Sequence, residues 1–155
     1  MIENASEVVI LIAEDDDGHA ALIERNLKRA GLHNDLIRFA DGQAVLDFLF
    51  GKNNAAQEAG VRVPETAYLL LLDIRMPKVD GVEVLRRVKE TPGLRRMPVI
   101  MITTTDDPRE VERCHELGCS SYITKPIEYE KFVKAIRQLG LYLMVVQVPR
   151  LERNR

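Results

Sequence analysis

The sequence predicts an α/β fold in which helices cover both faces of a doubly wound, five-stranded parallel sheet. Short apolar runs alternate five times with stretches of helical periodicity, and this alternation is typical of such sheets. The runs around Ile10 and Leu70 are continuous, as expected of central strands that are buried on both faces. With 155 residues, of which 46% are hydrophobic, the chain is long enough for one domain with its own core.

The strands are predicted where apolar or β-branched runs of four to six residues lie between polar segments. Such lengths suit strands and are far below the ~20 residues that a membrane-spanning helix needs. The five predicted strands are Val8–Ala13, Leu36–Ala40, Ala67–Leu72, Pro98–Ile102 and Ser121–Thr124.

The helices are predicted where apolar residues recur three or four positions apart. In the first helix, Ile23, Leu27 and Ala30 share one face, and Gly31 follows as a stop signal. The polar stretch 51–65 is predicted to be a long surface loop. The predicted helices are Gly18–Ala30, Gly42–Phe50, Gly81–Glu90, Pro108–Leu117 and a fifth that begins near Glu128.

The composition argues against several functional classes. The net charge is -2, so no basic excess indicates DNA or an anionic membrane as a partner. The two cysteines suit a reducing compartment. No signal peptide is predicted, because no positively charged N-terminal segment precedes a long apolar stretch. His19, His33 and His115 do not lie at metal-binding spacing from the cysteines and are interpreted as surface or helix residues. We expect a cytoplasmic protein without direct DNA or membrane binding.

Polar side chains follow four of the predicted strands. In doubly wound sheets, ligands bind beyond the carboxyl ends of the strands, so these side chains are expected to converge on one rim. The residues are Glu14, Asp15 and Asp16 after the first strand, Asp73 after the third, Thr103, Thr104 and Thr105 at the end of the fourth, and Lys125 after the fifth.

Crowded carboxylates at this rim need a compensating charge. Two like charges about 4 Å apart repel by about 4 kcal/mol at an effective dielectric of about 20, so one acid is protonated or a cation binds. Oxygen ligands favour Mg2+, and Lys125 and Thr103 can bind phosphate oxygens. The set predicts a phosphoryl site with Asp73 as the nucleophile. Each residue alone is more simply a turn or helix cap; the ordered set carries the prediction.

Four segments resemble the receiver domain of bacterial two-component response regulators. They are "LIAEDD", "LLLLDIRMPKVDG", "PVIMITT" and "YITKP", and the resemblance covers about residues 7 to 139. It implies the flavodoxin-like strand order 2-1-3-4-5 and a role in a phosphorelay. It also implies that Asp73 accepts a phosphoryl group from a phosphohistidine on a sensor histidine kinase.

The family's functional residues map onto this sequence position by position. The implied Mg2+ ligands are Asp15, Asp73 and the backbone carbonyl of Arg75, with Glu14 acting through water. Lys125 and the Thr103 hydroxyl are implied to hold the phosphoryl oxygens, and the Lys125–Pro126 bond is implied to be cis. In the implied switch, Thr103 moves toward the phosphoryl group and Tyr122 turns into the vacated space.

Two further positions are implied to tune the lifetime of the phosphorylated state. Arg75 and Thr105 lie two residues after the acceptor and the switch threonine, where family members flank the path of the hydrolytic water. We hypothesise that Arg75 shields the phosphoryl group and slows hydrolysis. The alternative is a solvated surface arginine.

Residues 140–155 are predicted to form an arm and tail beyond a receiver domain of residues 1–139, with no separate output domain. An apolar run at a terminus indicates a partner, and an isologous homodimer is favoured over packing against the same domain. Residues 150–155 are predicted to be a disordered tail. This layout resembles the regulators of bacterial phytochrome kinases, which implies a light-responsive donor. The predicted dimer residues are Leu141, Tyr142, Leu143, Val145 and Val146.

Two other functions compete with a phosphorylated switch. A pseudo-receiver that is never phosphorylated would lack an acid, the lysine or the hydroxyl, and the sequence retains all of them. An aspartyl-phosphate phosphohydrolase usually needs a second acid two residues after the nucleophile, where this chain has Arg75. We therefore predict a response regulator that signals by changing conformation or interface. It is not an enzyme, apart from supporting its own phosphotransfer and autodephosphorylation.

Overall fold

A computed structural model describes residues 2–3, 7–52 and 60–152. Every predicted strand and helix is present, and the predicted ends shift by one residue at most. In chain order the elements are β1 (Ile2–Glu3), β2 (Val9–Ala13), α1 (Asp17–Arg29), β3 (Leu36–Phe39), α2 (Gly42–Phe50), β4 (Tyr68–Leu72), α3 (Gly81–Glu90), β5 (Val99–Thr103), α4 (Pro108–Leu117), β6 (Ser121–Thr124), α5 (Tyr129–Leu143) and β7 (Val148–Pro149).

Five parallel strands form the main sheet in the order β3-β2-β4-β5-β6. This is the order 2-1-3-4-5 when these five strands are counted along the chain, so the predicted fold and strand order are confirmed. β2 and β4 lie side by side, with Ala13 opposite Leu72 at their carboxyl ends. The acidic segments that follow these two strands are therefore neighbours in space.

The core consists of two layers, one on each face of the sheet. Ile12 of β2 packs with Ile23 of α1 and Ile136 of α5 on one face. Leu11 of β2 belongs to the layer on the other face, together with Val84 of α3. Successive residues of a strand point to opposite faces, which is why the central strands need continuous apolar runs rather than alternating ones.

Aspartate side chains cap the first four helices. Asp16, Asp41, Asp80 and Asp107 each accept a hydrogen bond from a backbone N–H in the first turn that follows. These caps satisfy donors that have no partner within the helix. They also fix where each helix begins, and so they hold the loops at the carboxyl edge of the sheet.

Gly81 allows α3 to begin directly against the segment that carries Asp73. A Cβ atom at Gly81 would lie 2.0 Å from the carbonyl oxygen of Asp73 and 2.7 Å from the Cα of Ile74. The Gly81 N–H donates to the Ile74 carbonyl over 2.7 Å. The contact is backbone against backbone, so a side chain at this position would displace the segment that carries the acid.

The C-terminal segment packs against the domain. β7 pairs antiparallel with β1, Ala67 forms an antiparallel bridge with Arg150, and Val148 and Leu151 are buried. The prediction of a disordered tail is therefore wrong for Arg150 and Leu151, because the leucine fills an apolar site and the backbone gains hydrogen-bond partners. Residues 153–155 lie outside the described part of the chain.

The predicted loop after α2 is described only at its two ends, because residues 53–59 lie outside the described part. Gly51 ends α2 in the left-handed conformation. On the far side, the N–H of Arg62 donates to the carbonyl of Phe48 over 3.0 Å, so the chain returns to the end of α2. Within residues 2–3, 7–52 and 60–152, no helix has the length and apolarity needed to cross a membrane.

Candidate phosphoryl and metal site

Three carboxylates meet at the carboxyl edge of the sheet. Glu14 and Asp15 follow β2, and Asp73 follows β4. One carboxylate oxygen from each residue lies within 4.8 Å of the other two. Glu14 and Asp73 are only 1% and 6% exposed, whereas Asp15 is exposed. The cluster is therefore buried on one side and open to solvent on the other.

Lys125 supplies positive charge to this cluster. It follows β6, and its backbone N–H donates to the carbonyl of Thr103 over 2.6 Å. Its Nζ donates to Asp73 Oδ2 over 3.0 Å and also to Glu14 Oε1. The lysine is buried, so an ammonium and two carboxylates share a site of low solvent access. Such an arrangement is stable only while the charges remain paired.

The surroundings shift the pKa values of the two buried acids in opposite directions. Burial raises the pKa of Glu14 to about 7, and Asp73 adds to this shift while Lys125 opposes it. Burial also disfavours ionised Asp73, but Glu14 and Lys125 outweigh it and lower the pKa of Asp73. When two close carboxyl groups compete for one proton, one pKa rises and the other falls. Asp73 is therefore the more acidic of the two groups, which favours the ionised form that a nucleophile needs.

Both carboxylate oxygens of Asp73 are held in place. The N–H of Ile74 donates to Oδ1 over 2.7 Å, and Lys125 donates to Oδ2. The backbone N–H of Asp73 donates to the carbonyl of Ala13 over 3.0 Å, which ties the residue to β2. The acid is thus fixed in one orientation before any ligand arrives, which lowers the entropic cost of a reaction at this group.

Thr103 places a buried hydroxyl near Asp73. The residue ends β5, the strand next to β4, and its carbonyl holds Lys125. Its Oγ1 makes no hydrogen bond of ordinary geometry to the described residues, although it is close enough to Asp73 to help lower the pKa of that carboxyl. Leaving a buried polar group unsatisfied costs about 1–3 kcal/mol. A ligand that carries acceptor oxygens would recover this cost, so the residue fits a phosphoryl site.

Tyr122 is hydrogen-bonded to the segment of the chain that follows Thr103. Its hydroxyl donates to the backbone carbonyl of Thr105 over 2.6 Å, and its half-buried ring packs against the core. Burial raises the pKa of Tyr122 to about 12, so the phenol remains a donor. The backbone of Thr105, rather than its hydroxyl, makes this contact.

Arg75 lies at the exposed rim of the site. It lines a cavity of about 440 Å³ together with Asp15, Asp80 and Glu110. The exposed Arg75 and the cluster acid Asp15 therefore border the same cavity. The Lys125–Pro126 bond is trans, so the implied cis isomer is not found; the trans isomer is favoured for X–Pro bonds by about 0.5–1 kcal/mol.

Sequence reasoning missed two residues of this site. His19 Nδ1 lies 3.2 Å from Lys125 Nζ, and Arg38 donates to the backbone carbonyl of Glu14 over 2.9 and 2.7 Å. The interpretation of His19 as an ordinary surface or helix histidine overlooked one signal. The residue stands three positions after the cap residue Asp16, and helical side chains tilt toward the N-terminus of their helix. Its side chain therefore leans back over the strand end.

The predicted dimer residues divide between buried and exposed positions. α5 continues past residue 139 and ends at Leu143. Leu143 is buried and Val146 is half-buried, whereas Leu141, Tyr142 and Val145 are 57%, 49% and 76% exposed. α5 leads from the carboxyl edge of the sheet back to its amino edge, so these exposed residues are distant from Asp73.

The site as a whole fits a divalent cation and a phosphoryl group. The carboxylates of Glu14, Asp15 and Asp73 provide hard oxygen ligands. Lys125 and Thr103 provide donors on the buried side. The acidic cluster, the ammonium and the hydroxyl come from four different strand ends, as predicted.

Comparison with known proteins agrees with this chemistry. A family model described as the response regulator receiver domain matches residues 10–137. The structure of a response regulator receiver domain from Rhodospirillum rubrum is 48% identical, with a TM-score of 0.85 over 94% of this chain and 99% of that one. The Mn2+-bound form of Rcp1, a response regulator of Synechocystis sp., is 33% identical, with a TM-score of 0.79 over 91% and 98%. The phosphorylated cyanobacterial phytochrome response regulator RcpA is 25% identical, with a TM-score of 0.75 over 88% and 93%.

Proposed function

The chain belongs to the response regulator receiver family, and from this membership we propose that it accepts a phosphoryl group on Asp73 from a partner histidine kinase. The state of Asp73 is the observation that carries the proposal. It is a buried acid with a lowered pKa. One of its oxygens accepts a hydrogen bond from the Ile74 N–H, and the other accepts one from Lys125. A fixed, ionised carboxylate beside a lysine is suited to attack phosphorus.

In the transfer, a carboxylate oxygen of Asp73 attacks the phosphorus of a phosphohistidine. An O–P bond forms while the P–N bond breaks, and the leaving imidazole nitrogen keeps the electron pair of that bond. Negative charge spreads over the phosphoryl oxygens in the transition state. Lys125 already lies 3.0 Å from the acceptor, and the Thr103 hydroxyl can donate without first giving up another bond to the described residues. Prepared donors of this kind lower the barrier.

A divalent cation, which we take to be Mg2+, completes the proposed site. The convergence of three carboxylates supports this assignment, since the cluster found among the described residues contains no histidine or cysteine. Direct coordination is assigned to Asp15, Asp73 and the backbone carbonyl of Arg75, and water-mediated coordination to Glu14. When bound, the cation neutralises charge on the acids and on the phosphoryl oxygens.

The proposed output is a change in the Thr103–Tyr122 region. A phosphoryl group adds about -1.5 to -2 charges and three acceptor oxygens. These attract the buried Thr103 hydroxyl, and the movement leaves space into which the Tyr122 ring turns. The bond from Tyr122 to the carbonyl of Thr105 then has to break or move with the β5–α4 segment. The surface of this chain that binds a partner then changes shape, and this change transmits the signal.

The phosphoacceptor role is tested with a small phosphodonor. The chain is incubated with Mg2+ and acetyl phosphate, and the intact mass is followed over time. We expect the wild-type chain to gain one phosphoryl group and Asp73→Asn to gain none, because an amide cannot form the acyl phosphate. A gain of equal size in Asp73→Asn would contradict the proposal. Continuous hydrolysis of many phosphate esters per chain would indicate the phosphohydrolase instead.

Arg75 and Thr105 are proposed to tune the lifetime of the phosphorylated form. Arg75→Ala is expected to shorten the half-life of phospho-Asp73 by about two- to fivefold, equivalent to about 0.5–1 kcal/mol. The reason is that the exposed arginine lines the same cavity as Asp15, where its side chain is proposed to restrict the approach of water. The half-life is measured after the phosphodonor has been removed, with Arg96→Ala, a change at another exposed arginine, as the control. Equal half-lives in the three proteins would reject the role of Arg75.

The exposed part of the predicted arm is proposed to form a homodimer. Leu141, Tyr142 and Val145 are large apolar side chains on the surface near the end of α5, and burying them would be favourable. Replacing Leu141 and Val145 with serine is expected to weaken self-association at least about tenfold, as measured by sedimentation. Val63→Ser, at another exposed valine, is the control. A wild-type chain that remains monomeric at all concentrations would contradict the dimer.

A phytochrome-type histidine kinase is the proposed phosphodonor. The support is the similarity to RcpA, whose structure is named as that of a cyanobacterial phytochrome response regulator. Transfer from purified, phosphorylated candidate kinases to this chain would show which donor is fastest. We expect a light-responsive kinase to react faster than kinases of other stimuli.

A further inference from the structure

We propose that His19 is a positioning residue that holds the ammonium of Lys125 at the phosphoryl site; this inference rests on the proposed function. The two residues come from opposite ends of the sequence but lie in contact, with His19 Nδ1 3.2 Å from Lys125 Nζ. His19 is neither an acid of the cluster nor a group that reacts with phosphorus. Its effect on the reaction is exerted through Lys125.

The partners of Lys125 indicate why a histidine is needed. An ammonium has three N–H donors and no acceptor. Among the described residues, its hydrogen-bond partners are Glu14 Oε1, Asp73 Oδ2 and His19 Nδ1, so each donor has one acceptor. The two carboxylates are also the groups that a cation and a phosphoryl group would engage. His19 is the acceptor that keeps Lys125 in place while the other two change partners.

The proposed role requires one tautomer of His19. Because an ammonium can only donate, Nδ1 must carry the lone pair, and the ring proton is on Nε2. Nδ1 lies 3.6 Å from Glu14 Oε1, which is longer than a hydrogen bond. Lys125 is thus the nearer partner of this nitrogen.

His19 is itself held by two helices. Its backbone N–H donates to Asp16 Oδ1 over 2.9 Å, which is the cap of α1. Its ring packs on the buried ring of Phe132 in α5, with centroids 5.6 Å apart and planes inclined by 31°. The imidazole is therefore oriented by surroundings that do not depend on Lys125. A fixed acceptor is what a positioning residue has to provide.

Two substitutions separate this role from a purely structural one. His19→Asn keeps an acceptor, because Asn Oδ1 is attached to Cγ as His Nδ1 is, but it loses the aromatic contact. His19→Phe keeps a ring against Phe132 and has no acceptor. The rate of phosphorylation by acetyl phosphate with saturating Mg2+ is measured by intact mass, and stability is measured by urea unfolding.

We expect His19→Phe to be phosphorylated about tenfold more slowly than wild type and His19→Asn to remain within about twofold. The stabilities should follow the opposite order, with His19→Asn unfolding at lower urea, because the ring contact is lost. In a Lys125→Met chain, adding His19→Phe should cause no further slowing, since the residue to be positioned is gone.

The inference is overturned if His19→Phe reacts at the wild-type rate, or if His19→Asn is the slower variant. It is also overturned if His19→Phe slows Lys125→Met as much as it slows wild type. A wild-type chain that gains no phosphoryl group would overturn the proposed function and this inference with it, whereas the other outcomes leave the proposed function intact.

Discussion

Lys125→Met is expected to lower the free energy of unfolding by about 3 kcal/mol in the absence of divalent cations. The substitution preserves a long unbranched side chain but removes the charge that lies between Glu14 and Asp73. Two buried acids are then left without a cation. Adding Mg2+ should restore much of the lost stability, because the ion replaces the missing positive charge. Phosphorylation should become at least about 100-fold slower, as when a prepared transition-state donor is lost.

Urea unfolding with and without Mg2+ measures the first effect, and the acetyl phosphate assay measures the second. Lys131→Met is the matched control, because Lys131 is exposed and forms an ion pair at the surface with Glu128, at 3.7 Å. Its stability should change by less than about 0.5 kcal/mol. If both variants unfolded like wild type and responded equally to Mg2+, Lys125 could not be the compensating charge of the acidic cluster.

Gly81→Ala is expected to destabilise the protein by at least about 3 kcal/mol. The added methyl group would lie 2.0 Å from the carbonyl oxygen of Asp73, and backbone cannot move aside as the tip of a side chain can. α3 or the Asp73 segment must shift, and a displaced carboxylate reacts more slowly. We therefore expect a lower urea midpoint together with a lower rate of phosphorylation.

Gly18→Ala is the control for this prediction. A Cβ atom at Gly18 would lie 3.2 Å from the side-chain oxygen Oδ1 of Asp16, and alanine is favoured over glycine within a helix by about 0.5–1 kcal/mol. Its stability should stay within about 1 kcal/mol of wild type. Equal stabilities for Gly81→Ala and wild type would mean that α3 does not press on the acceptor segment.

The fold could be predicted because local and global signals agree. Continuous apolar runs such as Leu69–Leu72 are buried only where both faces of a strand are covered. The apolar faces of the helices, such as the one formed by Ile23 and Leu27, provide this cover. Aspartates and glycines at helix ends then fix the lengths of the connections. When the strand pattern, the helix pattern and the residues at helix ends all favour the same fold, few alternative topologies remain.

The charged residues of the site could be predicted for a related reason. Parallel strands deliver their next residues to one edge of the sheet, so Glu14, Asp73 and Lys125 had to approach one another. Their protonation could not be predicted, because it depends on burial and on distances of a few ångströms. The sequence does not indicate that the pKa of Glu14 is raised while that of Asp73 is lowered.

The tertiary contacts of His19 and of the C-terminal segment could not be predicted from the sequence. The place of His19 depends on how α1 packs against α5, since Phe132 and Lys125 reach it from a distant part of the chain. Leu151 is buried because folding creates an apolar site for it next to Thr66 and Ala67. The contact of Leu151 has no local pattern that would identify it. For His19, the spacing from the cap residue Asp16 places the side chain near the strand end but does not identify its partners.

A crystal structure of the protein with Mg2+ and beryllofluoride, a mimic of the phosphoryl group, would test the central claim most directly. We expect the beryllium on the carboxylate of Asp73, fluorine atoms within hydrogen-bond distance of Lys125 Nζ and Thr103 Oγ1, and the cation against Asp15 and Asp73. Beryllofluoride on another residue, or a cation without contact to these two acids, would contradict the assignment of this edge of the sheet as the phosphoryl site.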